Sequence, residues 1–210
     1  MSQIIAYKSA AGIVLAADSR AVSIDMAGAV HDRNVNRLTR IGPDAAILSG
    51  GAAQGPEMAA AFKDFIATEG VSDIVEIHQA ALPFLASEYE RFMRAACGVQ
   101  PIDPIHQVHF ILGGKTRTDA ADPYRLYFIW TKKKLPQLDS DEIGTVFSVP
   151  RLIRLEVQLN RQSSEEGAAP EAVFPVVRSA MARQAEAQEE VGGPLVYAAI
   201  DGTGFRMLDR

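Results

Sequence analysis

The chain has 210 residues, 48% of them hydrophobic and 22% charged, which are ordinary proportions for a globular domain. Its 21 basic and 26 acidic residues leave a net charge of −5, which argues against a nucleic-acid binder, since such proteins normally carry a basic surplus or stripe. A single cysteine, Cys97, rules out an internal disulfide and with it a disulfide-stapled secreted fold.

In chain order, Ile4 to Tyr7 and Ile13 to Ala17 are short apolar runs around Ser9-Ala10-Ala11-Gly12, a hairpin signal. Asn34 to Ile41 and Ala45 to Leu48 repeat it around the turn Gly42-Pro43-Asp44. Gln54 to Ala67 then places Met58, Phe62, Phe65 and Ile66 on one helical face, with Pro56 suited to a first helical turn. Val71 to Ala96 predicts a second long helix, kinked at Pro83. Strands return at Val108 to Leu112, ended by Gly113-Gly114, and at Tyr124 to Thr131. Lys132-Lys133-Lys134 is the one basic run and reads as a solvated strand end. Helices follow at Arg151 to Asn160 and Pro170 to Gln188, separated by a polar loop from Gln162 to Gly167. Leu195 to Ile200, the turn Asp201-Gly202-Thr203-Gly204 and Phe205 to Leu208 close the chain.

Strands, two helices, strands, two helices and strands do not suit a doubly wound parallel sheet, in which strand and helix alternate singly. Two stacked antiparallel sheets with a helix pair outside each accommodate the order. The expected class is α+β, a four-layer αββα sandwich, with residues 1–210 forming a single domain.

Three segments of the first third resemble the proteasome β-subunit family and its bacterial relative, the HslV peptidase. Gly12-Ile13-Val14-Leu15-Ala16-Ala17-Asp18-Ser19-Arg20 is similar to the family's apolar strand ending in aspartate and often arginine. Asn34-Val35-Asn36-Arg37-Leu38 is similar to the strand carrying its active-site lysine. Leu48-Ser49-Gly50-Gly51-Ala52-Ala53-Gln54 is similar to the small-residue turn into its first helix. Counting back from Asp18 without gaps sets Ser2 on the family's N-terminal threonine. The resemblance implies the N-terminal-nucleophile hydrolase fold and a peptidase whose first residue attacks a peptide carbonyl. It also implies homo-oligomeric rings, an unfolded polypeptide or peptide substrate and, by family habit, an unfoldase ATPase partner.

A hydroxyl is a poor nucleophile and needs a neighbouring base; a free α-amino group, with a pKa of about 7.7–8, can serve. Ser2 becomes N-terminal if Met1 is trimmed, as methionine before a small residue generally is. By resemblance, Ser2 attacks, Asp18 orients a neighbouring cation, and the Gly50 N–H receives the oxyanion. Arg20 pairs with Asp18 or shapes the cleft. Each also has a plainer reading: a common second residue, a turn cap, a tight strand-to-helix turn and a surface ion pair.

Three positions depart from the family. Its lysine falls on Arg37, whose guanidinium stays protonated and cannot accept a proton. Its glycine-serine-glycine turn meets Ile143-Gly144-Thr145-Val146-Phe147-Ser148-Val149-Pro150, where Gly144 and Ser148 lie too far apart. Its acid before a glycine pair is matched only by Glu189 or Glu190 ahead of Gly192-Gly193. Two alternatives follow: a non-catalytic scaffold subunit of the same fold, or an amidohydrolase acting on a small amide.

No cofactor or metal is expected. His106 and His109, three apart on an expected strand, point to opposite faces, His31 and His78 are scattered, and no phosphate-binding glycine pattern occurs. Cys97 reads as a buried structural thiol, and Tyr127 and Trp130 as packing residues. The start carries no basic flank before a long apolar run, and no run of ~18 apolar residues occurs. No signal peptide and no membrane partner are therefore expected, and the reading is cytoplasmic.

Overall fold

A computed structural model describes residues 2–24, 30–97, 106–132, 137–166 and 168–208. Its elements are β1 (Ile4–Ser9), β2 (Gly12–Ala17), β3 (Arg20–Ile24), β4 (Val30–Asn34), β5 (Leu38–Gly42) and β6 (Ala45–Gly51), then helices α1 (Gly55–Glu69) and α2 (Ile74–Cys97). Strands β7 (Val108–Lys115), β8 (Tyr124–Thr131), β9 (Leu138–Ile143) and β10 (Val146–Val149) follow. Helices α3 (Ile153–Glu166) and α4 (Pro170–Ala187) and strands β11 (Val196–Asp201) and β12 (Gly204–Met207) complete the chain. The architecture is mixed α+β with three antiparallel sheets. Two have five strands, in the orders β10-β1-β2-β11-β12 and β5-β6-β7-β8-β9, and the third is the β3-β4 ribbon.

Alternation along the strands decides which residue faces which layer. Ile4 and Ala6 of β1, Leu15 of β2 and Ala198 of β11 share one buried cluster with Leu48 of β6, Ile111 of β7 and Leu126 of β8, so the two large sheets pack on each other. The intervening residues face outward. Ile5, Tyr7 and Val14 meet Leu159, Val177 and Met181 of α3 and α4. Phe110, Leu112 and Ile129 meet Phe62, Ile77 and Tyr89 of α1 and α2. Near-continuous apolar strands such as Ile4–Ser9 and Gly12–Ala17, buried along their whole length, are those of a sheet covered on both sides.

Several expected boundaries move. The strand foreseen over 34–41 is split, because β4 ends at Asn34 and β5 begins at Leu38, with Arg37 buried between them. Gly113 and Gly114 do not end β7, which runs on to Lys115. They sit where neighbours press close: a Cβ on Gly113 would lie 2.9 Å from Leu126 Cδ2, and one on Gly114 2.9 Å from the Asp44 carbonyl oxygen. α2 starts at Ile74 rather than Val71, where Asp73 accepts the Val75 N–H at 2.9 Å in the manner of a helix cap. Pro83 lies inside α2. α3 continues through the expected polar loop as far as Glu166; Gly167 lies outside the described residues, as do Lys133 and Lys134, and so does the side chain of Cys97. Among the described residues no helix is long and apolar enough to cross a membrane.

Leu15 is fully buried between the two large sheets. Leu15→Ala is expected to cost about 2–5 kcal/mol of stability, read as a lower urea midpoint; an unchanged midpoint would contradict a core shared by the two sheets.

Candidate active site

The site forms where the start of the chain meets the end of β6. Ser2, 4% exposed, precedes β1, and its Oγ accepts a hydrogen bond from the Gly51 N–H at 2.9 Å. Gly51 follows Gly50, the residue expected to face the oxyanion; the hydrogen bond here goes to the serine oxygen itself. Gly50 still matters for space, since a Cβ there would lie 3.2 Å from Ser2 Oγ and 3.3 Å from Ile4 Cδ1. Gly51 has φ +83°, and a Cβ on it would come within 2.1 Å of the Gln107 carbonyl oxygen. Both constraints demand glycine, one through backbone conformation and one through close approach.

A buried ion pair is joined to the residue after Ser2. Asp18, 0% exposed, follows β2; Arg37, 2% exposed, precedes β5. Arg37 Nε stands 3.5 Å from Asp18 Oδ1. Asp18 Oδ1 accepts the Gln3 N–H at 3.0 Å, and Oδ2 accepts the Gly192 N–H at 3.3 Å. Arg37 Nη2 donates to the Arg20 carbonyl oxygen at 2.9 Å, while Nη1 has no hydrogen-bond partner among the described residues. Burial pushes the Asp18 carboxyl above its ordinary range, against the lowering pull of Arg37 and of backbone N–H groups. Burial likewise lowers Arg37, opposed by Asp18. For both partners desolvation outweighs the mutual attraction, the usual balance of a buried pair.

Arg20 does not take the expected place beside Asp18. Its guanidinium pairs with Asp32 across the β3-β4 ribbon, 2.7 Å from Nη2, and also donates to the Glu189 carbonyl oxygen. Its backbone reaches the pair instead, the carbonyl through Arg37 and the N–H by favouring the Asp18 carboxylate. The Ile143 to Pro150 stretch splits into two roles. Gly144 lies between β9 and β10, and Ser148 is buried within β10, where it donates to Glu156 Oε1 at 2.6 Å and accepts the Leu152 N–H at 2.7 Å. Ser148 therefore ties β10 to α3 and to the turn before it. Val149 and Pro150, by contrast, line the site, and the Pro150 carbonyl accepts from Gln3 Nε2 at 3.1 Å.

Ser2 opens on a cavity of about 570 Å³, whose wall includes Gly51, His109, Val149, Pro150 and Glu190. Glu190, one of the two acids weighed from sequence, thus shares the cavity with Ser2. Glu189 offers its carbonyl to Arg20 instead. His109 was missed as a site residue. It sits opposite Gly50 in the β6-β7 ladder, and burial pushes its imidazole down, favouring the neutral ring. Its Nδ1 is buried without a hydrogen-bond partner among the described residues. Gly192 was noted only as a marker, yet it donates to Asp18 and its carbonyl takes the N–H groups of Ser19 and Arg20.

No protein-family model matches the chain, and no curated protein matches it.

Arg37→Met would leave Asp18 buried without its cation. The expected loss is about 3–5 kcal/mol near neutral pH, measured by denaturant unfolding. Because the folded pKa of Asp18 is raised, its favourable contribution is present below the unfolded carboxylate range and is lost as pH rises through the folded value. The Arg37→Met deficit should therefore shrink as pH falls into the acid range. A deficit that grows on acidification would contradict the burial of Asp18.

Proposed function

We propose that this chain is a peptidase subunit of the N-terminal-nucleophile type, related to proteasome β-subunits, in which Ser2 attacks peptide carbonyls once Met1 is removed. The observation that carries the reading is the Ser2 hydroxyl held 2.9 Å from the Gly51 N–H on the wall of a cavity, with the next residue, Gln3, tied to Asp18 of the buried Asp18–Arg37 pair. The layer order, with a helix pair outside each of two packed sheets, supports the four-layer αββα arrangement of that class.

In the proposed reaction the freed α-amine of Ser2 takes the hydroxyl proton while Oγ bonds to the substrate carbonyl carbon. The oxyanion accepts the Gly51 N–H; removing one such donor typically costs about 2.7–4 kcal/mol of transition-state stabilisation. The ammonium returns its proton to the leaving amine as the C–N bond breaks, leaving an ester on Ser2. Water then attacks that ester with the same amine as base, and Ser2 and a carboxylic acid product are released. Arg37 cannot take a proton, so its part is that of a fixed positive charge, which lowers the pKa of a nearby amine and keeps more of it unprotonated. Substrates would be unfolded polypeptides or peptides, processed inside homo-oligomeric rings and supplied by an unfoldase ATPase in the cytoplasm. Ile153 and Val157, one turn apart on α3 and 58% and 46% exposed, form a surface that ring packing would cover.

The scaffold reading has one observation in its favour: Arg37 occupies the position of the proton-accepting lysine. Intact mass of the untagged protein, with and without a peptide epoxyketone, separates the two. Loss of Met1 and one adduct per chain is the expected result, because the probe closes a ring with both hydroxyl and free amine. Retained Met1 without an adduct assigns the chain to the scaffold role.

Gly51→Ala would press a methyl group against the Gln107 carbonyl and turn the N–H away from Ser2. Turnover of a fluorogenic peptide should fall about 10²–10³-fold, the effect of losing one oxyanion donor. Undiminished turnover would remove Gly51 from the mechanism.

A further inference from the structure

The packing between the two large sheets changes along their shared face. Toward the middle, the residues between them are fully buried: Ile4, Ala6, Leu15, Ile111 and Leu126. The residues pointing the same way nearer the Ser2 cavity are only half-buried, and most are aromatic. They are His109 on β7, Phe128 and Trp130 on β8, and Phe147 and Val149 on β10. The side-chain parity is the same as that of the inter-sheet core, and Phe128, Phe147 and Val149 pack against its edge with part of their surface left accessible.

The rings touch in a row. His109 lies 6.0 Å from Phe128 with the planes 23° apart, Phe128 stacks on Trp130 at 5.0 Å and 14°, and Phe128 meets Phe147 at 4.5 Å. Arg151 closes the far end over Phe147 at 4.6 Å. The row joins the cavity at two points, since His109 and Val149 belong to the walls of both. His109 is next to Gly50 across the ladder, so the row begins one residue from the Gly51 N–H that holds Ser2. Half-exposed rings in mutual contact form a rigid apolar surface that loses little conformational freedom when another ring settles on it.

We propose that His109, Phe128, Trp130 and Phe147 form a binding platform, continuous with the Ser2 cavity, that takes an aromatic side chain of an extended peptide a few residues from the bond attacked. As a substrate subsite it rests on the peptidase reading; as a peptide-binding surface it does not. The platform selects by ring stacking and apolar contact.

Trp130 is the chain's sole tryptophan, so its emission reports directly on the platform. The Ser2→Ala protein, which cannot turn over peptide, is titrated with an alanine-based hexapeptide carrying one phenylalanine and with its all-alanine counterpart. The phenylalanine peptide should shift Trp130 emission saturably, and the all-alanine peptide should not over the same range. Phe147→Leu and His109→Ala, each checked for an unchanged far-ultraviolet circular dichroism spectrum, should weaken binding about three- to tenfold, the range for loss of one aromatic contact. Equal responses to both peptides, no response, or full affinity in both folded variants would overturn the platform. The wild-type epoxyketone adduct is scored in parallel. Binding without adduct keeps the platform and refutes the peptidase; adduct without a Trp130 response does the reverse.

Discussion

Two charges that almost no solvent reaches, those of Asp18 and Arg37, set the terms for the rest of the site. Burying them costs more than their attraction returns, as the opposed shifts of both groups indicate. Part of the difference is offset by hydrogen bonds that only the folded chain supplies, from Gln3 near the start, Gly192 near the end and the Arg20 carbonyl between. None of these segments is near the others in sequence. The pair is therefore tolerable only when the beginning, the first third and the last twenty residues converge. That convergence fixes Gln3, and Ser2 is the residue before it.

With Gln3 anchored, the surroundings of Ser2 follow from steric exclusion more than from attraction. β6 has to bring its backbone close enough for the Gly51 N–H to meet the serine oxygen. Side chains at 50 or 51 would collide with Ser2, Ile4 or Gln107. Two glycines and a positive φ at the second give the backbone that approach. The same strand end positions His109 across the ladder, so one stretch of β6 places both the donor to Ser2 and the first ring of the aromatic row.

The parts of the fold legible in sequence were those with strong periodicity. The helix faces at Met58, Phe62 and Ile66 and the all-apolar strands β1 and β2 declared themselves, and so did their order. β9 did not, because Leu138-Asp139-Ser140-Asp141-Glu142-Ile143 has the composition of a loop and is a strand only through pairing along its whole length with β8 at the sheet edge. The β3-β4 ribbon was hidden for a similar reason, its polar residues Asp32, Arg33 and Asn34 being exposed partners of Val22, Ala21 and Arg20 rather than core. At the site, Ser2, Asp18 and Arg37 could be singled out because a resemblance supplied their spacing. The Gly51 N–H could not be picked out as the donor to Ser2 Oγ, because Gly50 and Gly51 are indistinguishable until the pleat shows which N–H points at the serine. His109 and Gly192 carried no local signal, since their roles arise from contacts 59 and 174 residues distant in register or hydrogen bonding.

Arginine at position 37 changes the chemistry available more than the geometry. A lysine there could exchange a proton; a guanidinium holds its charge across the whole physiological range. Its buried setting keeps that charge poorly screened, so its field on a neighbouring amine is stronger than a surface cation would exert. Of the groups around Ser2, Asp18 is engaged by Gln3, Gly192 and Arg37. In the proposed reaction proton transfer falls to the α-amine of Ser2, which exists only after Met1 has gone. Removal of Met1 would then create both the base and the exposed nucleophile.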